Sequence, residues 1–265
     1  MTQSGHTPRI GRSAPCQRTA RPIAGMSDEY PVGYIDPPHR HPRAQLLYAI
    51  TGVMSVITKE GAFVVHPHTA VWLPAGAEHE VRCCSPTSLR TLYIDPSGSV
   101  GLPKRCRVFE VSELLRALIV EATHLPADYD VAGRDGRIVS LIFDELSRMR
   151  STPLDAPMPR DERLARMCRA LLKDPAQEGC LDELAQVAGM SRRTLTRRFR
   201  HEMGMTFSAW HQQVRLLEAL ARLSTGAAVT RVALDVGYRS PSSFTAVFRR
   251  AFGATPSEYF AVPQA

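Results

Sequence analysis

The sequence predicts a two-domain α+β protein: an N-terminal antiparallel β-barrel with attached helices, then an all-α domain built on two helix-turn-helix motifs. Three observations predict it. Between residues 31 and 94, short apolar runs alternate with turn residues, as the strands of a small barrel or jelly roll do. Two stretches with broad helical apolar stripes follow before residue 150. The last third then repeats one pattern, with Ala185/Ala233, Gly189/Gly237, Phe199/Phe248, Gly204/Gly253 and Thr206/Thr255 matched at an offset of 48 residues and then 49. A chain of 265 residues is long enough for two such cores.

Residues 1–25, rich in Arg, Pro, Ser and Thr, are expected to be a disordered tail. They lack the apolar stretch of a secretion signal, and with no transmembrane run the chain is expected in the cytoplasm, away from membranes. Residues 26–100 are the barrel, with strands at 45–50, 53–58, 62–65, 70–73, 79–82 and 89–94. Residues 101–150 carry helices at 112–123 and 136–149, whose apolar stripes cover the barrel, pair with a second copy, or do both. Residues 151–160, rich in Pro, are the linker, and residues 161–263 are the helical domain. The six cysteines lack zinc-ligand spacing and are expected to be reduced thiols. Cys83 and Cys84, adjacent on a strand, point to opposite faces and do not bridge.

In the first repeat, Leu184, Ala185 and Ala188 share one helix face, and Leu195 and Phe199 share a face of the next, so the two helices pack together. Gly189 permits the turn, and Ser191 is placed to cap the second helix. That helix presents Arg192, Arg193, Thr196, Arg197, Arg198 and Arg200, five arginines with no acid among them. Arg pairs with guanine and with phosphate, so this density suits a helix entering the major groove of DNA. In the second repeat, Ser240 and Pro241 open the helix, Ser242, Ser243 and Ala246 are the groove-facing positions, and Arg249 and Arg250 reach phosphates. Residues 207–224, without Gly or Pro, predict one connecting helix about 25 Å long, able to hold the two heads one groove turn, about 34 Å, apart. From Cys180 to Ala265, 11 Arg and no Lys against 6 acids supply +5 of the net +7, a charge that steers toward polyphosphate.

From about Asp161 to Phe260 the chain resembles the DNA-binding domain of the AraC/XylS family of bacterial transcription regulators. The resemblance rests on A-x3-G-x-S in the first head and on Gly237, Tyr238, Ser240, Ser242, Phe244, Phe248, Gly253, Thr255, Pro256 and Tyr259 in the second. It implies base contacts from Arg193, Thr196 and Arg197, with Ser242, Ser243 and Ala246 equivalent in the second head. Position 246 is often a larger polar residue in that family. Phosphate contacts fall to Arg192, Arg198, Arg200, Arg249 and Arg250.

The barrel strands carry Gly33-x5-His39-x-His41-x3-Gln45-x6-Gly52 and Pro74-x-Gly76-x2-His79. These segments resemble the two cupin motifs, with Gln45 where many members carry Glu, and together with 70–79 they resemble the sensor of an AraC-type subgroup. His39 and His41, two apart on a strand, share a face; with Gln45 and with His79 from a neighbouring strand they could converge on one divalent metal. The same residues also suit a polar barrel core without metal. His66 and His68, flanking Pro67, are expected at the surface of a turn. The resemblance implies a regulator rather than an enzyme, with operator DNA, a small effector, RNA polymerase and a second copy of the chain as partners. The alternatives are a metal-dependent cupin dioxygenase or isomerase, and a regulator that senses the metal itself.

Overall fold

The computed structural model describes residues 13–99, 101–149, 155–177 and 181–261. Among them the strands are β1 (Ile23–Tyr30), β2 (Ile35–His39), β3 (Ala44–Thr51), β4 (Met54–Thr58), β5 (Gly61–Val65), β6 (Thr69–Leu73), β7 (His79–Cys83), β8 (Thr87–Ile94), β9 (Arg107–Glu110) and β10 (Asp155–Pro157). The helices are α1 (Ala14–Arg18), α2 (Glu113–Ala122), α3 (Arg134–Arg148), α4 (Glu162–Lys173), α5 (Leu181–Val187), α6 (Arg192–Met203), α7 (Phe207–Leu223), α8 (Val229–Asp235), α9 (Pro241–Phe252) and α10 (Pro256–Ala261). They form two compact units: residues 1–58 with 65–153, and residues 59–64 with 154–265.

The first unit is a cupin-like jelly roll of antiparallel sheets. One sheet runs β1-β8-β3-β6-β9, and in the other β7 lies between β4 and β2. Alternation along β3 divides its side chains between two environments. Leu46 and Tyr48 join Trp72, Leu92 and Ile94 in a core closed by Leu115 and Ile119 of α2 and by Ile142 and Leu146 of α3. Both helices therefore cover one face of this sheet. Leu114 of α2 and Leu141 of α3 remain 48% and 39% exposed.

The order extends into the expected tail. Within residues 13–25, α1 forms and β1 begins, pairing residue for residue with β8 from Ile23↔Ile94 to Tyr30↔Thr87. The strand carries Gly25 because α2 crosses it there: a Cβ at that position would sit 2.2 Å from the Ala122 carbonyl oxygen. Residues 1–12 lie outside the described residues. Strand β2 ends at His39, on the stretch expected to be a strand, but starts earlier; it contains Pro37 and Pro38, which remove ladder donors and confine it to a sheet edge, next to β7 alone. Within the expected linker, β10 pairs antiparallel with β5, Ala156 opposite Ala62, in the second unit. Residues 150–154 lie outside the described residues. The described cysteines are all free thiols, and burial pushes Cys168 up to about 12; Cys180 falls outside the described residues.

In the second unit, Trp210 anchors α7. Its ring is fully buried beside Phe199 and Phe207, and its Nε1–H donates to the Pro157 carbonyl at 2.8 Å. Arg215 of α7 donates to the carbonyls of Pro175 and Gly237, both at 3.1 Å, and so ties the second turn to the loop after α4. Aromatic clusters repeat in both heads: Phe199 with Phe207, and Phe248 with Tyr259.

Candidate functional site

The candidate DNA-facing surface is built twice by the same local rules. In each head the residue after the turn glycine donates to the carbonyl of the repeat alanine, Met190 N–H to Ala185 O and Tyr238 N–H to Ala233 O, both at 2.9 Å. Gly189 and Gly237 make this possible with φ of 62° and 84°, a region that side chains with a Cβ rarely enter. Ser191 Oγ then accepts from Thr194 N–H and Ser240 Oγ from Ser243 N–H, each at 3.2 Å, to cap α6 and α9. Leu195 and Phe199 are buried on one side of α6, as Phe244 and Phe248 are on α9. Burial of these faces fixes the roll of each helix.

That roll exposes every predicted DNA contact. Arg192, Arg193, Thr196, Arg197, Arg198 and Arg200 are exposed on α6, and Ser242, Ser243, Ala246, Arg249 and Arg250 on α9. The arginines divide into two groups. Arg192 donates to Asp182 at 3.2 Å, and Arg198 to Asp161 at 2.6 Å. Arg193, Arg197 and Arg200 form no ion pair among the described residues. Burial raises the Asp161 pKa, but its bonds from the amides of Arg163 and Leu164 and from the side chains of Arg163 and Arg198 outweigh this and hold it low. Thr196 Oγ donates to the carbonyls of Arg192 and Arg193, so toward DNA it acts as an acceptor. Ser243 Oγ donates to Ser240 O at 2.8 Å and belongs to the cap, which leaves Ser242 as the more accessible hydroxyl. Pro241, Ser242, Thr245, Ala246, Arg249, Arg250 and Thr255 line an open groove of about 680 Å³.

The second site lies in the jelly roll. His39, His41 and His79 are all buried, and one ring nitrogen from each lies within 4.8 Å of the others. His39 ends β2 opposite His79 at the start of β7, with ring centroids 4.3 Å apart. His41 is not on that strand, as the spacing suggested, but in the turn beyond it. Gly76 N–H donates to the His41 carbonyl at 2.8 Å, holding this turn against the one that leads to His79. Gln45 is 1% exposed and pairs in register with Tyr93, whose ring meets His41 at 5.2 Å. Neither amide atom of Gln45 has a hydrogen-bond partner among the described residues.

The donor chemistry suits a divalent cation. His39 Nδ1 lies 2.8 Å from Pro37 O and His79 Nδ1 2.9 Å from Ala77 O. A carbonyl only accepts, so both Nδ1 atoms carry the proton and Nε2 is the nitrogen that could ligate. A carbonyl accepting from Nδ1–H fixes the ring of a metal-binding histidine in the same way. The 4.8 Å spread exceeds the about 3.4 Å between donors on a four-coordinate metal, so the rings would have to move inward to close on one. Sequence reasoning missed Asp36, 1% exposed, with Oδ2 3.6 Å from His39 Nε2. It also placed His66 at the surface; His68 is exposed, but His66 is 4% exposed, and burial followed by the neighbouring His68 charge lowers it to about 3. Thr69, whose hydroxyl contacts both the backbone N–H and the carbonyl of His66, folds this turn inward.

Comparison with known proteins identifies both domains. Residues 184–261 match the helix-turn-helix domain family and residues 27–95 the cupin domain family. The HTH-type transcriptional regulator NimR of Escherichia coli (strain K12) is 32% identical over 225 residues, 85% of this chain and 82% of that protein. The HTH-type transcriptional regulator RipA of Corynebacterium glutamicum is 36% identical over 103 residues, 39% of this chain and 31% of that protein. Among solved structures, the DNA-binding domain of AdpA in complex with a target DNA is 33% identical and covers 42% of this chain and 92% of its own, with a TM-score of 0.35.

Proposed function

The chain belongs to the AraC-type helix-turn-helix transcriptional regulators that carry a cupin domain, and on that footing we propose that α6 and α9 read an operator while the jelly roll senses a small effector. The observation that carries the reading is α6, where Arg193 and Arg197 stand exposed one turn apart, without ion pairs among the described residues, on a helix rolled outward by Leu195 and Phe199. These two arginines and Thr196 take base edges. Ser242, Ser243 and Ala246 take the equivalent positions on the second head. Arg192, Arg198, Arg200, Arg249 and Arg250 hold phosphates and set the register on the duplex.

The regulator works in the cytoplasm as a homodimer that presents four heads to two half-sites and acts on RNA polymerase there. Leu114 and Leu141, exposed on neighbouring helices, favour a second copy on that face. In the jelly roll, His39, His41, His79 and Gln45 hold a divalent cation and perform no turnover. When bound, the cation supplies a fixed positive charge to which a carboxylate or carbonyl of the effector is drawn. The effector switches the regulator only by preferring one of its arrangements over another.

The test is footprinting of the purified protein on DNA flanking its gene, at physiological salt with excess competitor, before and after chelation. Protection of a discrete repeated sequence is expected, and its pattern should change with chelator. Binding no tighter than to random DNA would overturn the operator assignment. Protection indifferent to chelator would remove the cation from sensing.

A further inference from the structure

The second head is longer than the first by one residue, and the backbone locates it. In each head the residue after the turn glycine donates to the repeat alanine, Met190 in the first and Tyr238 in the second, and a serine caps the next helix, Ser191 or Ser240. Met190 and Ser191 are adjacent, whereas Arg239 stands between Tyr238 and Ser240. The inserted residue is therefore Arg239.

Its neighbours fix its place. Tyr238 is pinned by its amide and by its ring, which meets Phe244 with centroids 5.2 Å apart. Ser240 is extended, with φ of −153° and ψ of 149°, where it caps α9. Arg239 itself is exposed, and its guanidinium forms no ion pair or hydrogen bond among the described residues. An anchored turn leaves only the rotamers of this side chain to be ordered when it meets a ligand.

The place matters because α9 begins there. A recognition helix of this kind enters the major groove by its N-terminal residues, so the residues just ahead of it face the phosphates at the groove edge. In the first head the first helical residue is Arg192, which donates to Asp182 at 3.2 Å. The second head lacks both members of that pair: Pro241 stands at the position of Arg192, and Thr230, at the 48-residue offset, stands at that of Asp182. Arg239 restores the positive charge two residues earlier, and no acid holds it. A guanidinium is the side chain best matched to a phosphate.

On the operator reading of α9, we infer that Arg239 is a phosphate contact of the second head, the counterpart of Arg192 moved from the helix into the turn. It sets the register of α9 on the duplex and reads no base.

The experiment titrates full-length protein with two fluorescent duplexes, one taken from the DNA flanking its gene and one of random sequence, across a salt series. Circular dichroism checks folding. Arg239→Ala should weaken binding to both duplexes alike, by about fivefold or more at low salt, and reduce the slope of log Kd against log salt by about one, while Arg239→Lys keeps the wild-type slope. A methylphosphonate that neutralises the contacted phosphate should weaken the wild type and leave Arg239→Ala unchanged. Wild-type affinity and slope in a folded Arg239→Ala overturn the inference. So does a loss confined to the flanking sequence, which would make Arg239 a base reader, and so do methylphosphonate losses that are the same in both proteins at every position. A wild type that prefers no sequence overturns the operator reading instead; the salt slopes on random DNA then still decide Arg239, because a phosphate contact is made on any duplex.

Discussion

The exposed face of α6 carries five arginines and a threonine, whereas the matching face of α9 carries Ser242, Ser243 and Ala246 and only then Arg249 and Arg250. Beneath these faces the two heads are alike: a left-handed turn glycine, a serine cap, two buried apolar residues one turn apart, and a glycine at the far end with φ of 68° or 78°. The frame is repeated and the message is not. Packing and backbone geometry constrain the buried and turn positions of both heads equally, while the solvent face is constrained only by what it touches. On the proposed reading, Arg193 and Arg197, without ion pairs among the described residues, give the first head reach into base edges, and the short residues of the second would bring its backbone closer to the duplex with less to read.

The comparison can be broken at several levels. The largest effects should be shared. Phe199→Ala and Phe248→Ala each remove a fully buried ring and should each cost about 3–5 kcal/mol in chemical denaturation. A loss confined to one head would mean that the repeat is not a common frame. Next come the differences. Arg193→Ala and Arg197→Ala should each weaken operator binding by about 1–3 kcal/mol and relax base preference, as measured on a panel of single-base operator variants. Ser242→Ala should produce a smaller loss, and an equal one would assign the second head an equal share of the reading. The caps follow: Ser191→Ala and Ser240→Ala should each reduce stability by about 1 kcal/mol. The smallest change is expected at Arg198, 45% exposed and paired with Asp161. Its replacement by Ala should lower stability by less than about 1 kcal/mol and weaken operator and random DNA alike. Selective loss on the operator would move Arg198 into the base-reading set.

Acidification offers one further check on the same pair. Asp161 titrates below the ordinary carboxylate value in the folded protein, so its contribution is present at neutral pH and is lost as pH falls through that lowered value. Asp161→Asn should therefore flatten the acid limb of a stability profile, and an unchanged limb would detach Asp161 from the stability of the first head.

The helical half was legible because its signals are local. Turn glycine, cap serine and apolar spacing each act within a few residues, and α6, α7, α9 and the strands β3 to β8 all form where the spacing puts them. The jelly roll was less legible at its margins. Strand β1 lies in a stretch of mixed polarity that becomes a strand only by pairing with β8, some sixty residues away. The prolines of β2 hid how far that strand reaches back from His39, and with that Asp36. An acid three residues before a ligand-type histidine was the available signal, but only the register with β7 shows that the two share an interior. The sequence expected His39, His41 and His79 to converge, and their rings do lie together, but it placed on a strand His41, which sits in the turn beyond β2.

What the sequence by itself determined is the family, the double head and the identity of the residues on each exposed helix face, because helical periodicity turns spacing directly into orientation. What only the tertiary structure decided is which of those residues are already engaged and which distant ones meet: Arg198 with Asp161, His39 with His79, and Gln45 across from Tyr93. Those are long-range contacts, set by how strands register and how helices pack, and short-range spacing carries no record of them.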